Sequence, residues 1–317
     1  MQILVTGACG YKGSVLVPKL LSAGHQVTAF DTMWFGNFLD KKNLGSRRDL
    51  TFIKGDVRDI STLELSDFGA IIHLASIAND QCGDLNPKLT WEVSVLATMQ
   101  LAEKAVRAGV PNFIYASSGS VYGISTEPKV TENVPLLPLS EYNKTKMCAE
   151  RILLSYAGEM NIQIVRPATV CGLSPRMRLD VSVNLLTMAA LTKNRITVFG
   201  GEQVRPNIHI DDITDLYIFL LERPDLSGIF NAGFENISIM EIAKSVAEVL
   251  PASIEVTPSS DLRSYRLNSD KLLNTGFKPK KTVAHAIAEI IEAYKCGDLA
   301  PEERFNNLTW MQSQGFA

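Results

Sequence analysis

Six short apolar runs, QILVT, QVTAF, LTFI, AIIHLA, NFIYAS and IQIVRP, alternate with amphipathic stretches through the first half of the chain, and this alternation limits its fold more than any other feature. A strand that is apolar along its length must be covered on both faces, so each run reads as a central strand and each intervening stretch as a covering helix. The chain is therefore predicted to be an α/β protein on a doubly wound parallel sheet. The spacing predicts helices over residues 11–23, 87–108 and 141–159, the second starting at Asn86-Pro87 and stopping before Gly109-Val110-Pro111. After Pro167 the rhythm fades, and turn-rich pieces such as CGLSPRMRLD, FGGEQVRPN and VTPSSDLRSYRLNSD separate short elements. We expect residues 1–168 to form the sheet domain, with part of 206–233 packing back onto it, and residues 169–317 to form a smaller mixed lobe. The crevice between them, at the carboxyl ends of the strands, is where open sheets of this kind hold ligands.

Composition narrows the partners. A formal net charge of -3, with 21% charged residues, offers no electrostatic case for nucleic acid and points to small molecules. No run approaches the roughly 18 apolar residues of a membrane span, and MQILVTGACG has neither a basic leader nor a cleavage site, which predicts a cytoplasmic chain away from membranes. Five scattered cysteines without a CxxC pair support neither a disulfide framework nor a zinc site, so no metal is expected.

TGACGYKG follows the first strand and opens the first helix, setting Gly7, Gly10 and Gly13 three residues apart. Glycines there permit a tight turn and let a dinucleotide's pyrophosphate approach the backbone at the positive end of a helix, the signature of a Rossmann-type fold. The second strand ends at Asp31, about twenty residues on, where a carboxylate accepts from ribose hydroxyls and repels a 2′-phosphate. NAD is thus favoured over NADP, with Arg47 and Arg48 read as a solvated pair. Asp56, past the third strand, either faces the adenine amino group or caps a helix beginning near Ser61.

SEYNKTK, residues 140–146, carries the chemistry. On a helix Tyr142 and Lys146 share a face, whereas Lys144 points roughly 160° away from Tyr142. A phenol near pKa 10 is a poor base at neutral pH, but an ammonium beside it favours the phenolate. Upstream, NFIYAS runs into SSGSVYG and delivers Ser117, Ser118 and Ser120 to the same sheet edge, where a hydroxyl can share a proton with Tyr142. In the second lobe Arg176, Arg178, Arg205, Arg263 and Arg266 form a set suited to phosphate oxygens.

TGACGYKG, Asp31, GDVRD, IIHLAS, SSGSVYG, YNKTK and RPNIHIDD, in this order and spacing, resemble the extended short-chain dehydrogenase/reductase family, and within it the NAD-dependent sugar-nucleotide epimerases and dehydratases. The likeness spans nearly the whole chain. It implies Ser118 as the catalytic hydroxyl, Tyr142 as acid and base, and Lys146 bound to the nicotinamide ribose. It also implies that Tyr11, Val57, Leu74, Ala75 and Ser76, with Asp56, line the cofactor, and that Asn184, Arg205 and Arg263 contact a nucleotide diphosphate. Asn79, Asp80 and Cys82, in IANDQCGDLNP, would lie near the nicotinamide and sugar, with Ser120 also on the substrate side.

Three departures from the family pattern bear on the substrate. Thr169 in RPAT replaces a usual asparagine, SPRMRLD looks like members acting on GDP-linked heptoses or other surface-polysaccharide sugars, and Gly119 and Ser120 stand where dehydratases carry Asp-Glu. The resemblance thus implies hydride transfer at a sugar carbinol, commonly C4, in an epimerase. The alternatives are a sugar-nucleotide 4-dehydrogenase or 4-ketoreductase, and a noncatalytic NAD-binding sensor. Glu132 reads as a solvated loop carboxylate, and helices 87–108 and 141–159 as the interface of a homodimer.

Overall fold

The computed structural model describes residues 1–39, 44, 47–125, 127–259 and 264–316. Its strands in chain order are β1 (Gln2–Thr6), β2 (Gln26–Asp31), β3 (Leu50–Lys54), β4 (Ala70–His73), β5 (Asn112–Ala116), β6 (Asn161–Pro167), β7 (Thr169–Cys171), β8 (Arg195–Phe199), β9 (Val204–His209), β10 (Gly228–Ala232), β11 (Glu235–Ser238) and β12 (Ser253–Thr257). Seven of them form one parallel sheet in the order β10-β6-β5-β4-β1-β2-β3.

Alternation along β1 shows how the sheet is covered. Ile3 and Val5 enter a core with Leu16, Val17 and Leu20 of helix Gly13–Ser22 and Ile213 and Leu216 of helix Ile210–Leu221. Leu4 faces the other way, into a core with Leu101 of helix Ala97–Arg107 and Leu153 of helix Glu141–Ser155. Successive side chains point to opposite faces of a strand, so an unbroken apolar run gives two cores. Residues 210–232 supply one of these covering helices and the edge strand β10.

The expected helix over 87–108 is present but not uniform. Pro87 at its first turn and the Asn86 side chain, accepting from Leu89 N–H at 3.0 Å, start it, and a π-helical turn, Glu92–Leu96, interrupts it. Sequence spacing carries no signal for that extra residue in the turn. The tyrosine helix is capped by Ser140, which accepts from Asn143 N–H at 3.2 Å, and ends four residues earlier than expected, at Ser155.

The smaller lobe holds a three-stranded sheet, β11-β9-β7, and a two-stranded pair, β12-β8. Val183, Leu186, Ile196, Ile242, Val246 and Ile287 make its own core. Among the described residues, no helix is long and apolar enough to cross a membrane.

Candidate active site

One crevice runs from the glycine turn, past the carboxyl ends of β1, β4 and β5, to the second lobe. Gly7, Gly10, Tyr11, Gly13, Asp31, Asp56, Val57, Leu74, Ala75 and Ser76 all line it. Gly7 has φ of +69°, and a Cβ there would meet the Ala75 nitrogen at 2.7 Å. A Cβ on Gly13 would lie 2.5 Å from the Gly7 and Ala8 carbonyl oxygens, so the turn closes onto its helix only without side chains at these two positions.

Asp31 is fixed by the same turn. Its two oxygens accept from Cys9 N–H at 2.9 Å and Met33 N–H at 2.6 Å. Burial pushes its carboxyl up, while those two N–H groups and the Arg176 guanidinium pull it down. Asp56 is held by Arg58, accepting from its N–H at 2.9 Å, from Nε at 3.1 Å and from a terminal guanidinium nitrogen at 2.7 Å. No helix begins at Ser61, whose N–H and hydroxyl are bonded to Asp59, so the capping alternative for Asp56 is set aside. Arg47 and Arg48 are exposed, and Arg47 pairs with Asp49 at 2.6 Å. The cradle, the ordered Asp31 and the helix start fit a dinucleotide; with no side chain in its way, the backbone here can take a pyrophosphate.

Further along the crevice Tyr142 and Ser118 line the wall, and Lys146, expected to join them, lies buried behind it. Lys146, 2% exposed, donates to the Ala116 carbonyl at 2.7 Å, and its Nζ lies 4.8 Å from the Tyr115 ring centre and 5.9 Å from that of Tyr142. Burial, then the charge of Lys12, hold this ammonium well below the usual lysine range, with Glu150 opposing. The Tyr142 phenol differs from expectation. Burial raises it above its ordinary value and Asp80 adds to the rise, while the Ser118 hydroxyl and then Arg178 oppose them. The Lys146 ammonium is turned to the Ala116 carbonyl at the end of β5, and Ser118, with Arg178, is what favours the phenolate here.

The three serines have separate duties. Ser117 donates to Glu150 at 2.5 Å, within a buried set in which Arg166 binds Glu150 at 2.6 and 2.9 Å and the Tyr122 hydroxyl at 2.7 Å. Ser118 and Ser120 share a hydrogen bond of 2.7 Å, and Ser120 donates onward to the Asn143 side chain. Glu132 is not a solvated carboxylate, since it accepts from Asn231 N–H at 2.8 Å. Lys144 pairs with Glu141 at 2.7 Å on the surface.

The substrate side departs most from the sequence reading. Arg178 is held two-fold by Asp180, at 2.7 and 2.9 Å, and lines the crevice with Asn79, Asp80, Thr169 and Arg205. Asn79 is engaged as the cap of helix Asp80–Leu85, with φ of +80°, and donates to Asp180 at 3.2 Å. Arg176 lies instead at the cofactor end: it is 2% exposed, its guanidinium sits 4.0 Å from the Phe35 ring centre, and it acts on Asp31. Asn184 is fully buried; its amide donates to Tyr11 and the Arg178 carbonyl and accepts from Gly172 N–H, so it shapes the wall rather than presenting to a ligand. Cys82 is likewise fully buried, its thiol pushed up to about 11 by burial. Arg263 lies outside the described residues.

Sequence reasoning missed Gly83, which seats helix Asp80–Leu85 against Tyr142, and Asp180, which orients Arg178. A glycine inside a short helix was the only available signal for the first. His209, Asp211 and Glu289 also cluster, away from the crevice lining, but Lys19 and Lys281 supply cations to that group.

Residues 3–233 match the model of the NAD dependent epimerase/dehydratase family. A UDP-glucose 4-epimerase of Mycolicibacterium smegmatis is 30% identical over 309 residues, covering 93% of this chain and 99% of that one. Among solved structures, the Thermus thermophilus UDP-glucose 4-epimerase in complex with NAD superposes with a TM-score of 0.82 at 26% identity, over 93% of this chain and 99% of that one. MoeE5 in complex with UDP-glucuronic acid and NAD gives a TM-score of 0.80 at 28% identity, over 94% of this chain and 100% of that one. The glycine cradle, the ordered Asp31 and the Ser118–Tyr142 wall, with Lys146 buried behind it, are thus features of a chain that belongs to the NAD dependent epimerase/dehydratase family.

Proposed function

We propose that this protein is an NAD-dependent epimerase that acts on a nucleotide-diphosphate sugar at a ring carbinol, C4 in the first instance. The observation that carries this reading is that Ser118 and Tyr142 line one crevice wall continuous with the glycine turn, with the Ser118 hydroxyl favouring the Tyr142 phenolate against burial. Gly7, Gly10, Gly13 and Asp31 would hold NAD, which when bound supplies the hydride acceptor.

Everything else falls to the chain's own residues. Tyr142 takes the proton of the sugar hydroxyl, general base work worth about 10²–10⁴-fold in rate. Ser118 hydrogen-bonds that same oxygen and, through Ser120 and Asn143, is kept from rotating away. Lys146 holds the carboxyl end of β5 in register with the tyrosine helix and adds positive charge to the site. Arg178 and Arg205 line the side where a diphosphate would lie. Water elimination is disfavoured because Gly119 and Ser120 offer no carboxylate pair next to Ser118.

A surface-polysaccharide pathway, a cytoplasmic location and a homodimer complete the proposal. For the dimer, helices Pro87–Trp91 and Glu141–Ser155 lie side by side, with Trp91 bonded to Glu141 at 2.7 Å and Leu96 exposed nearby. The test is a screen of UDP-, GDP-, CDP- and dTDP-sugars by NMR and mass spectrometry with wild type and Tyr142→Phe. Conversion by wild type, lost in the variant, supports the mechanism; equal conversion by both rejects it.

A further inference from the structure

Lys12 stands where the glycine turn passes into helix Gly13–Ser22 and lines the crevice. Its Nζ makes only a long contact, 3.4 Å, with the Tyr217 hydroxyl from helix Ile210–Leu221. Its charged neighbours are cations: Arg178 acts on it, and it acts on Lys146. Arg178 is neutralised by Asp180 and Lys146 has the Ala116 carbonyl, whereas among the described residues no carboxylate pairs with Lys12. A desolvated ammonium in the company of like charges is costly unless an anion joins it. On the same crevice, Arg176 Nε is buried without a hydrogen-bond partner. The other Arg176 nitrogens are bonded to the Met177 carbonyl and the Asn307 side chain, so the crevice holds one ammonium without an anion, that of Lys12, and one spare guanidinium N–H.

We infer that the Lys12 ammonium binds the diphosphate of the dinucleotide, adding a side-chain charge to the backbone N–H groups of the turn. The inference rests on the cofactor reading above. The cofactor's diphosphate is favoured over the substrate's because Lys12 belongs to the turn itself, while the second lobe carries Arg178 and Arg205 for the substrate. Burial and Arg178 bring Lys12 down to about 8, so a bound anion, which raises a lysine's pKa, draws a proton onto it near that pH.

The test is calorimetry with ADP-ribose, adenosine and UDP on nucleotide-free wild type, Lys12→Met and Lys12→Arg. Lys12→Met should weaken ADP-ribose by about tenfold or more, as expected for loss of a charge-assisted hydrogen bond, and leave adenosine and UDP unchanged. Lys12→Arg should keep most of the affinity. At pH 8, wild type should take up a proton on binding ADP-ribose, seen as an enthalpy that varies with the buffer, and Lys12→Met should not. Equal ADP-ribose affinity in wild type and Lys12→Met overturns the inference, as does a loss confined to UDP. Wild type that fails to bind ADP-ribose at all overturns the cofactor reading as well, so the two failures are distinguishable.

Discussion

Gly83 lies against the backbone of Tyr142 so closely that a methyl group on it would come within 2.8 Å of the Tyr142 nitrogen and 2.9 Å of its Cβ. The short helix Asp80–Leu85 thus positions the phenol from outside its own helix. In an exposed helix, Gly→Ala usually stabilises by up to about 1 kcal/mol. Here Gly83→Ala should cost about 1–3 kcal/mol through overpacking. By displacing Tyr142 it should also lower kcat by about 10²-fold, since a 1 Å misplacement has that effect. Thermal unfolding and steady-state kinetics on one preparation check both; unchanged kcat would show that the contact does not position the phenol.

The two lysines of YNKTK should behave differently. Lys144 forms a surface pair with Glu141, the kind of contact worth at most about 1 kcal/mol, so Lys144→Ala should leave activity and stability nearly unchanged. Lys146→Ala removes the hold on Ala116 and a charge from the site, and should reduce kcat by at least about 10²-fold. Comparable kinetics for the two variants would contradict the arrangement.

Arg166 and Glu150 form an ion pair that is 2% and 1% exposed, behind the catalytic wall. Arg166→Met leaves a carboxylate buried without its partner and should cost about 3–5 kcal/mol. The double change Arg166→Met with Glu150→Met should recover part of that loss. Urea denaturation of the three proteins reads it out, and a double variant less stable than the single one would show that the pair contributes more than mutual neutralisation.

His73 predicts a pH dependence. It bonds Thr6 at 2.6 Å and Thr98 at 2.9 Å at the end of β4, and burial, then the Lys146 charge, lower it from 6.5 to about 3. Because the folded value is depressed, the unfolded chain takes up the proton first as pH falls. The contribution of His73 is therefore complete above 6.5 and erodes below it, by about 2 kcal/mol between pH 7 and pH 5. Urea midpoints of wild type and His73→Asn at the two pH values test this; an equal drop in both proteins would remove His73 from the account.

The parallel sheet, the glycine turn and Asp31 were legible in the sequence because each follows from spacing along one or two adjacent elements, whereas the Lys146 ammonium, expected beside the Tyr142 phenol, is turned to the Ala116 carbonyl. Period-2 and helical periodicity fix which side chains share a face, and glycine restricts the turn locally. The destinations of longer side chains were not legible. Arg176 and Arg178 are two residues apart in SPRMRLD, yet one stacks on Phe35 beside Asp31 and the other is clamped by Asp180 near Tyr142. Asn184 turned inward to Tyr11 and Gly172, and Gly83 acquired its role only when two helices met. Such outcomes depend on which partners far along the chain satisfy a buried charge or fill a gap, and that is decided by packing in three dimensions rather than by neighbours in sequence.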